Sequence, residues 1–436
     1  MATVATFATT WRLPDSDDAR QVARDPSNVY ARGVTPRRTL FMITRFSVQN
    51  YKALRDVTLD LTPVHVLIGP NDSGKTSLLE ALAALCRSVE HPIDNIFRGG
   101  RENRNLLYRQ KQSDLIFEAR FDEAEGDFDG YRVSFDLFGD WMMQIPSLRE
   151  EEFLLTQGGS TPLQGSEYGV TYLYRHREDR LTEADVTNVT QQIACRMRGV
   201  HFYRFSPEAL KIPVVLDASR QGRMEFNGFG LPQLLDEIRN DREQYTELEK
   251  RFTEFFPHVE AIELPVLPAY AASPLDHRQV QRSDFASGKG IQFRLTNDGM
   301  KLPAENASDG MMFVLAYLAL LYLPEPPRVL LLEEPENGIH PGRLKEIIRI
   351  LKQLVSEQSH TQVLLTTHSP YVVHEFTPEE VTLCFREPSG EVKTSRLSES
   401  KSVHELNDVF SLGEIWTIDG DKKLMEKFEP EEQTAP

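Results

Sequence analysis

Short apolar runs alternate with polar positions from residue 42 onward, and their spacing predicts the elements. Ile43-Thr-Arg-Phe-Ser-Val reads as a strand, residues 57–61 alternate as a second, and His65-Val-Leu-Ile is a third, short and apolar, ending at Gly69. A helical period follows over about 75–86. Residues 114–145 predict a β-meander: 115–117, 131–135 and 141–145 alternate, with Gly126, Gly130 and Gly139 as turn signals. Residues 148–200 are polar and ambiguous, residues 231–256 read as two helices stopped by Pro257, and residues 262–300 read as short strands and loops. Further on, 308–323 predicts a helix apolar on most sides, 329–332 a buried strand, 341–357 an amphipathic helix, and 363–367 another buried strand. Leu344, Ile347, Ile348, Leu351, Leu354 and Val355 share one stripe of the amphipathic helix.

These elements divide the 436 residues into five expected segments. Residues 1–41, polar with Pro14, Pro26 and Pro36, read as a loose N-terminal extension. Residues 42–147 would form the first half of an α/β head, 148–300 an inserted helical and mixed lobe, 301–400 the second half, and 401–436 a C-terminal tail, acidic from Phe428. A hydrophobic fraction of 40% supports a sizeable core. The longest apolar run, 311–323, is 13 residues, short of the roughly 20 that a membrane span needs. No secretory leader is expected, and the three scattered cysteines suit neither a disulfide scaffold nor a zinc site, so a cytoplasmic location is expected. The formal net charge is −17, so any contact with nucleic acid would need a local basic patch.

Four motifs carry chemistry. Gly69-Pro-Asn-Asp-Ser-Gly-Lys-Thr follows a strand and opens a helix, the setting a phosphate-binding GxxxxGKT loop requires. Its glycines let backbone N–H groups converge on phosphate oxygens, and the helix N-terminus adds partial positive charge. The nucleotide-binding candidates are Gly69, Asn71, Ser73, Gly74, Lys75, Thr76 and Ser77; Lys75 can bridge the outer phosphates and the Thr76 hydroxyl can ligate Mg²⁺. Second, the apolar strand at 329–332 runs into Glu333 and Glu334, acids that fit only at the carboxyl end of a buried strand. Glu333 is placed to hold Mg²⁺, directly or through water, and Glu334 to act as general base on an attacking water. Third, Leu364-Leu-Thr-Thr-His368 ends another strand; His368 is either structural or close enough to meet the γ-phosphate or the water. Fourth, Ser308, Asp309 and Gly310 open the apolar helix, where Ser308 serves as an N-cap or supplies hydroxyl and helix dipole to a phosphate.

Together these segments resemble the ABC-type ATPase heads of the RecF, SMC and OLD-like families, most closely the compact AAA-type ATPases with an ABC-like signature. NYKALRD (residues 50–56) and IGPNDSGKTSLLEAL match the opening of such heads; SPEAL, FNGFGLPQLL and FFPHVEAI resemble the middle; ASDGMMFVLAYLALL, LLLEEPENGIHP and LLTTHSPYVV resemble the signature, Walker B with D-loop, and switch-histidine segments. The resemblance spans about 43–385 and implies a P-loop α/β head with an antiparallel β-subdomain and a helical lobe. It implies ATP and Mg²⁺ as ligands, with Glu334, His368 and Lys75 as catalytic residues. It further implies a homodimer or higher homo-oligomer that sandwiches two ATPs, each on Gly69–Thr76 of one chain and facing Ser308, Asp309 and Gly310 of the other. Glu333 stands where ABC proteins usually carry Asp, and His340 stands at a D-loop position often held by Asp. Gln110 and Gln112 are candidates for the Q-loop glutamine.

Lys75 and Glu334 are 259 residues apart without heptads between them, which excludes a long-armed SMC protein. Only 68 residues follow His368, too few for the Toprim domain of full-length OLD nucleases, and Asp419-Gly-Asp421, which resembles a DxD metal pair, reads rather as an exposed acidic turn, so no nuclease is expected in the chain. The stretch 98–111 holds Arg98, Arg101, Arg104, Arg109 and Lys111 around glycines and a tyrosine; it is either a DNA-contacting surface or a solvated loop that balances the acidic bulk. Two functions compete: an ATPase dimer in a DNA-linked process such as repair or anti-phage defence, beside a separate nuclease or effector, or a nucleotide-gated module that holds and releases an effector with little turnover. A transporter subunit is disfavoured, because Gly74 and Gly310 are 236 residues apart.

Overall fold

Two six-stranded sheets share the helix that follows the phosphate loop. The computed structural model describes residues 42–97, 105–110, 113–122, 128–137, 146–163, 170–175, 189–275, 286–296, 299–357 and 360–427. Residues 1–41, the expected strand at 141–145 and the acidic end from Phe428 lie outside them.

The first sheet is antiparallel. Its strands are β1 (Ile43–Tyr51), β2 (Leu54–Asp60), β4 (Leu115–Phe121), β5 (Phe128–Asp136), β6 (Ser147–Leu155) and β7 (Ser160–Pro162), in the order β2-β1-β4-β5-β6-β7. NYKALRD is the β1–β2 hairpin: Tyr51 pairs with Leu54, and Asn50 and Lys52 take positive φ at 63° and 47°. Asn50 holds its turn by donating from Nδ2 to the Ser113 carbonyl at 2.6 Å. β6 falls in the stretch left ambiguous from sequence. Its three consecutive glutamates hide the pattern, yet Glu151 is buried and accepts the Tyr131 hydroxyl at 2.7 Å.

The second sheet contains β3 (Val64–Ile68), β8 (Val200–Tyr203), β14 (Val329–Glu333), β15 (Gln362–Thr366), β16 (Val381–Arg386) and β17 (Val392–Arg396), in the order β17-β16-β3-β15-β14-β8. All its pairs are parallel except the edge pair β16–β17. Both faces are covered, so its strands read as unbroken apolar runs. Val329, Leu331 and Leu364 pack toward helix Lys75–Ser88 and the antiparallel sheet. Leu330, Leu332, Val363 and Leu365 pack toward helices Asp309–Leu321 and Pro341–Glu357. Every residue from Met311 to Leu321 is buried, because helix Asp309–Leu321 is packed on several sides by helices Leu231–Ile238, Arg242–Phe255 and Pro341–Glu357. Two small antiparallel sheets, β10–β11 (Val266–Ala269, Ala286–Lys289) and β13-β12-β9 (Lys301–Pro303, Gln292–Leu295, Val259–Glu263), flank this side.

The expected segment boundaries need correction on two counts. An inserted lobe at 148–300 does not stand apart: its start cuts through β6 of the first sheet, and β8 pairs directly with β14 of the second. Nor is 401–436 a simple tail. Helices Lys401–Leu406 and Leu412–Leu424 pack on each other and near β16, burying Leu412, Ile415 and Leu424. Asp419 and Asp421 are not an exposed turn: they sit in the second of these helices, which breaks at Gly420. Asp419 is paired with Lys423 at 2.9 Å with its side chain only 7% exposed, and Asp421 accepts the Trp416 indole N–H at 2.8 Å. Among the described residues no helix is long and apolar enough to cross a membrane.

Candidate functional site

Five parallel strands end on one side of the second sheet, and each delivers a polar group there. β3 runs into Gly69, β14 into Glu333 and Glu334, β15 into Thr367 and His368, β8 into Arg204, and β16 ends at Arg386. Ligands in open α/β sheets bind outside these carboxyl ends. A cavity of about 360 Å³ lies there, lined by Ala53, residues 71–77, Arg204, Glu333, Glu334, Thr366, His368 and Arg386.

The loop from 69 to 76 fits only with glycine at two points. Gly69 has φ 131°, and a Cβ there would lie 2.0 Å from the Cys384 carbonyl oxygen of β16. Gly74 has φ 94°, and a Cβ there would lie 2.9 Å from a Val392 methyl. The loop therefore curls against β16 and β17 and opens into helix Lys75–Ser88. Lys75 is buried and folds back over the loop, donating from Nζ to the carbonyls of Gly69 at 2.9 Å and Pro70 at 2.8 Å. Burial pulls its ammonium below the ordinary lysine value, a shift opposed by the surrounding acids and thiol. The Thr76 hydroxyl donates to Glu333 Oε1 at 2.5 Å, which joins two motifs 257 residues apart. Arg386 pins the outer side of the loop through the Asp72 carbonyl, at 2.8 Å from Nη2.

Glu334 begins where the β14–β15 ladder ends. Its N–H still donates to the Thr366 carbonyl at 3.1 Å, while its own φ is 49°, a left-handed value that costs a non-glycine residue about 1–3 kcal/mol. The turn aims its carboxylate at three partners. Asn337 Nδ2 donates to Oε2 at 2.7 Å, Arg204 Nη2 lies 3.4 Å from the same oxygen, and His368 Nε2 lies 3.3 Å from Oε1. Arg204 also approaches Glu333 at 3.8 Å. Burial and then Lys75 hold the His368 imidazole below its usual value of 6.5, so it is neutral at pH 7 and its contact with Glu334 is a hydrogen bond rather than an ion pair.

The structure thus brings together Gly69, Asn71, Ser73, Gly74, Lys75, Thr76, Ser77, Glu333, Glu334 and His368. It does not bring Ser308, Asp309 and Gly310 to this cavity in the same chain. Ser308 caps its helix, accepting the Met311 N–H at 3.3 Å, and Asp309 pairs with Lys211 at 2.7 Å. In the basic stretch, Arg98, Arg101, Arg104 and Lys111 lie outside the described residues, as does Gln112. Arg109 is described and bonds the Ser389 carbonyl. Sequence reasoning missed Arg204, Asn337 and Arg386. Asn337 had a signal, three residues after Glu334 in a Pro-containing turn; Arg204 and Arg386 had none beyond ending a short strand.

Comparison with known proteins agrees with this geometry. Residues 190–374 match the family model described as "AAA domain, putative AbiEii toxin, Type IV TA system", and residues 42–128 match the "AAA ATPase domain" model. The two matches hold all four motifs. Both models describe AAA domains, so the two matched stretches carry AAA-type ATPase sequence. The ATPase is 19% identical over 341 residues to an ATP/GTP phosphatase of Helicobacter pylori, covering 75% of this chain and 85% of that one. It is 22% identical over 388 residues to an OLD nuclease of Thermus scotoductus, covering 85% and 68%. Among solved structures it is similar to an SMC head bound to the C-terminal winged-helix domain of ScpA, at 14% identity and a TM-score of 0.44, covering 81% of this chain and 97% of that one. The two AAA matches and the ATP/GTP phosphatase relative support nucleotide binding and hydrolysis of ATP to ADP and phosphate.

Proposed function

We propose that the ATPase hydrolyses ATP between two copies of itself, in a process linked to DNA such as repair or anti-phage defence. One observation carries the dimer: the loop at 69–76, Glu333, Glu334 and His368 form one cavity, while Ser308, Asp309 and Gly310 of the same chain face elsewhere. Those three residues open a buried helix of 13 residues, whose N-terminal N–H groups and dipole suit an anion. A second copy would bring them to the open side of the phosphate loop.

Within one chain, the backbone N–H groups of the loop and Lys75 would bind the phosphates. Lys75 Nζ rests on two backbone carbonyls, which it can exchange for phosphate oxygens. Mg²⁺ fits the donor set, because the Thr76 hydroxyl and the Glu333 carboxylate meet at one point and offer only hard oxygen ligands. When bound, the metal would neutralise charge on the β- and γ-phosphate oxygens. Glu334 would take the proton of the attacking water, and His368, neutral at pH 7, would orient that water or the γ-phosphate from the other carboxylate oxygen. Ser308 of the second copy and its helix N-terminus would add donors for the charge that develops as the phosphoryl group leaves.

The DNA link is supported by the relative named an OLD nuclease, with Arg98, Arg101, Arg104, Arg109 and Lys111 as the candidate contact and a separate nuclease or effector chain as the expected partner. The test is steady-state hydrolysis with and without duplex DNA at several salt concentrations. Stimulation that fades as salt rises supports the DNA link; no stimulation at any salt removes it. Glu334→Gln should abolish turnover; its biological output then separates an enzyme that must hydrolyse from a module that only binds.

A further inference from the structure

We propose that Glu336 is a positioning residue for ATP hydrolysis, holding the His368 main chain so that the imidazole meets the Glu334 carboxylate. The proposal rests on the assignment of Glu334 and His368 above. Strands β14 and β15 stay paired up to Glu333 and Thr366, and the Glu334 N–H makes the last rung. Beyond it the two chains diverge into a turn and a loop. There a side chain takes over the pairing: Glu336 Oε1 accepts the His368 N–H at 2.8 Å and the Thr367 hydroxyl at 2.7 Å.

The contacts close a ring. Glu334 Oε1 meets His368 Nε2, the His368 N–H meets Glu336, and Glu336 returns to Glu334 through Pro335. Pro335 fixes its own φ, and its carbonyl accepts the buried Tyr317 hydroxyl at 3.4 Å, so the return path is short and stiff. The imidazole is thus located from both ends, by its ring and by its N–H. Glu336 does not line the cavity and has no direct route to the nucleotide.

The group is also a poor choice for stability alone. Its other oxygen, Oε2, is buried with no hydrogen-bond partner among the described residues, and burial pushes the carboxyl above its ordinary value. Buried unsatisfied oxygens are rare in native proteins and tend to be kept where they serve a purpose. A side chain of this length brings one oxygen, Oε1, to both donors at once.

The experiment measures kcat and KM for ATP with Mg²⁺ on the full chain, for wild type, Glu334→Gln, Glu336→Ala and Glu336→Gln. Glu336→Ala should lower kcat by about tenfold or more and leave KM within about twofold, since misplacement by about 1 Å slows chemistry without touching binding. Glu336→Gln keeps the accepting oxygen and should stay within about threefold of wild type. Wild-type kcat in Glu336→Ala, a loss carried by KM, or a glutamine variant as slow as the alanine variant overturns the proposal. If Glu336→Ala fails to fold, Glu336→Asp gives the same reading, because it retracts the oxygens by one methylene: reduced kcat at unchanged KM supports the role, and wild-type kcat overturns it. If wild type and Glu334→Gln turn over equally, the underlying site assignment fails and takes this proposal with it; if only Glu336→Ala is unaffected, the positioning role alone fails.

Discussion

Gly69→Ala places one methyl group against the most constrained part of the site. The added Cβ would lie 2.0 Å from the Cys384 carbonyl oxygen and 3.2 Å from Ser73 Oγ. Cys384 lies within β16, paired with Thr394 of β17 and next to the last β3 rung at Leu383, so its carbonyl has little room to retreat. Contacts under 3.0 Å are essentially never seen for a real Cβ, so the loop itself must move by about 1 Å. A φ of 131° adds about 1–3 kcal/mol of strain for an alanine. The loop's N–H groups then miss the phosphates, and a loss of 1.4 kcal/mol is already tenfold in Kd. Calorimetric titration with ATP and Mg²⁺ should show affinity weaker by at least about tenfold, with a melting temperature lower by a few degrees. Gly310→Ala is the contrast, because nothing lies within 4 Å of a Cβ there. It should leave the fold as stable as wild type, or up to about 1 kcal/mol more so, while lowering hydrolysis if a partner's phosphate must approach Gly310. Wild-type affinity and melting temperature in Gly69→Ala would refute the steric reasoning.

His65 joins Thr62 at 3.0 Å to Thr382 at 2.9 Å, and burial pulls its imidazole from 6.5 to about 3. Between those values the unfolded chain binds a proton that the folded chain refuses, so stability from this group is full above pH 6.5 and falls as pH drops, by on the order of 5 kcal/mol in total. Urea melts should therefore fall more steeply with acid in wild type than in His65→Gln; parallel slopes would contradict this. His368 is held below 6.5 in the free protein, so the acid limb of kcat/KM should have its midpoint below pH 6.5; a midpoint above that value would rule out a neutral imidazole as the working form. Arg204 is half exposed, so Arg204→Ala should leave the melting temperature unchanged while raising the ATP KM a few-fold, measured by steady-state kinetics. An unchanged KM would remove Arg204 from the site.

The parts of the fold that were readable in sequence are those with one physical reason for their pattern. The run Val329–Glu333 is apolar because both faces of the sheet are covered, and helix Pro341–Glu357 shows a clean stripe because one face meets the sheet and the other meets water. The phosphate loop was legible because glycine is required at fixed points next to a strand and a helix. Elsewhere distant partners hid the reason. Glu151 reads as a surface residue until Tyr131 is placed beside it. Arg204 enters the site only because β8 pairs with β14, 129 residues later in the chain, and no local spacing records that. Helix Leu412–Leu424 is hard to read in sequence because Gly420 breaks its period, although Leu412, Ile415 and Leu424 anchor it. The pairing of Ser308 with a phosphate loop is still less legible, since on this account the two meet only across separate chains.

The account turns on a pocket completed by a second copy, and a mass measurement tests that most directly. Glu334→Gln should retain ATP without hydrolysing it, so light scattering on this variant with ATP and Mg²⁺ should show a species of about twice 49.8 kDa that reverts when nucleotide is removed. A variant that holds ATP yet keeps the same mass with and without it, across the micromolar range, would contradict the shared pocket.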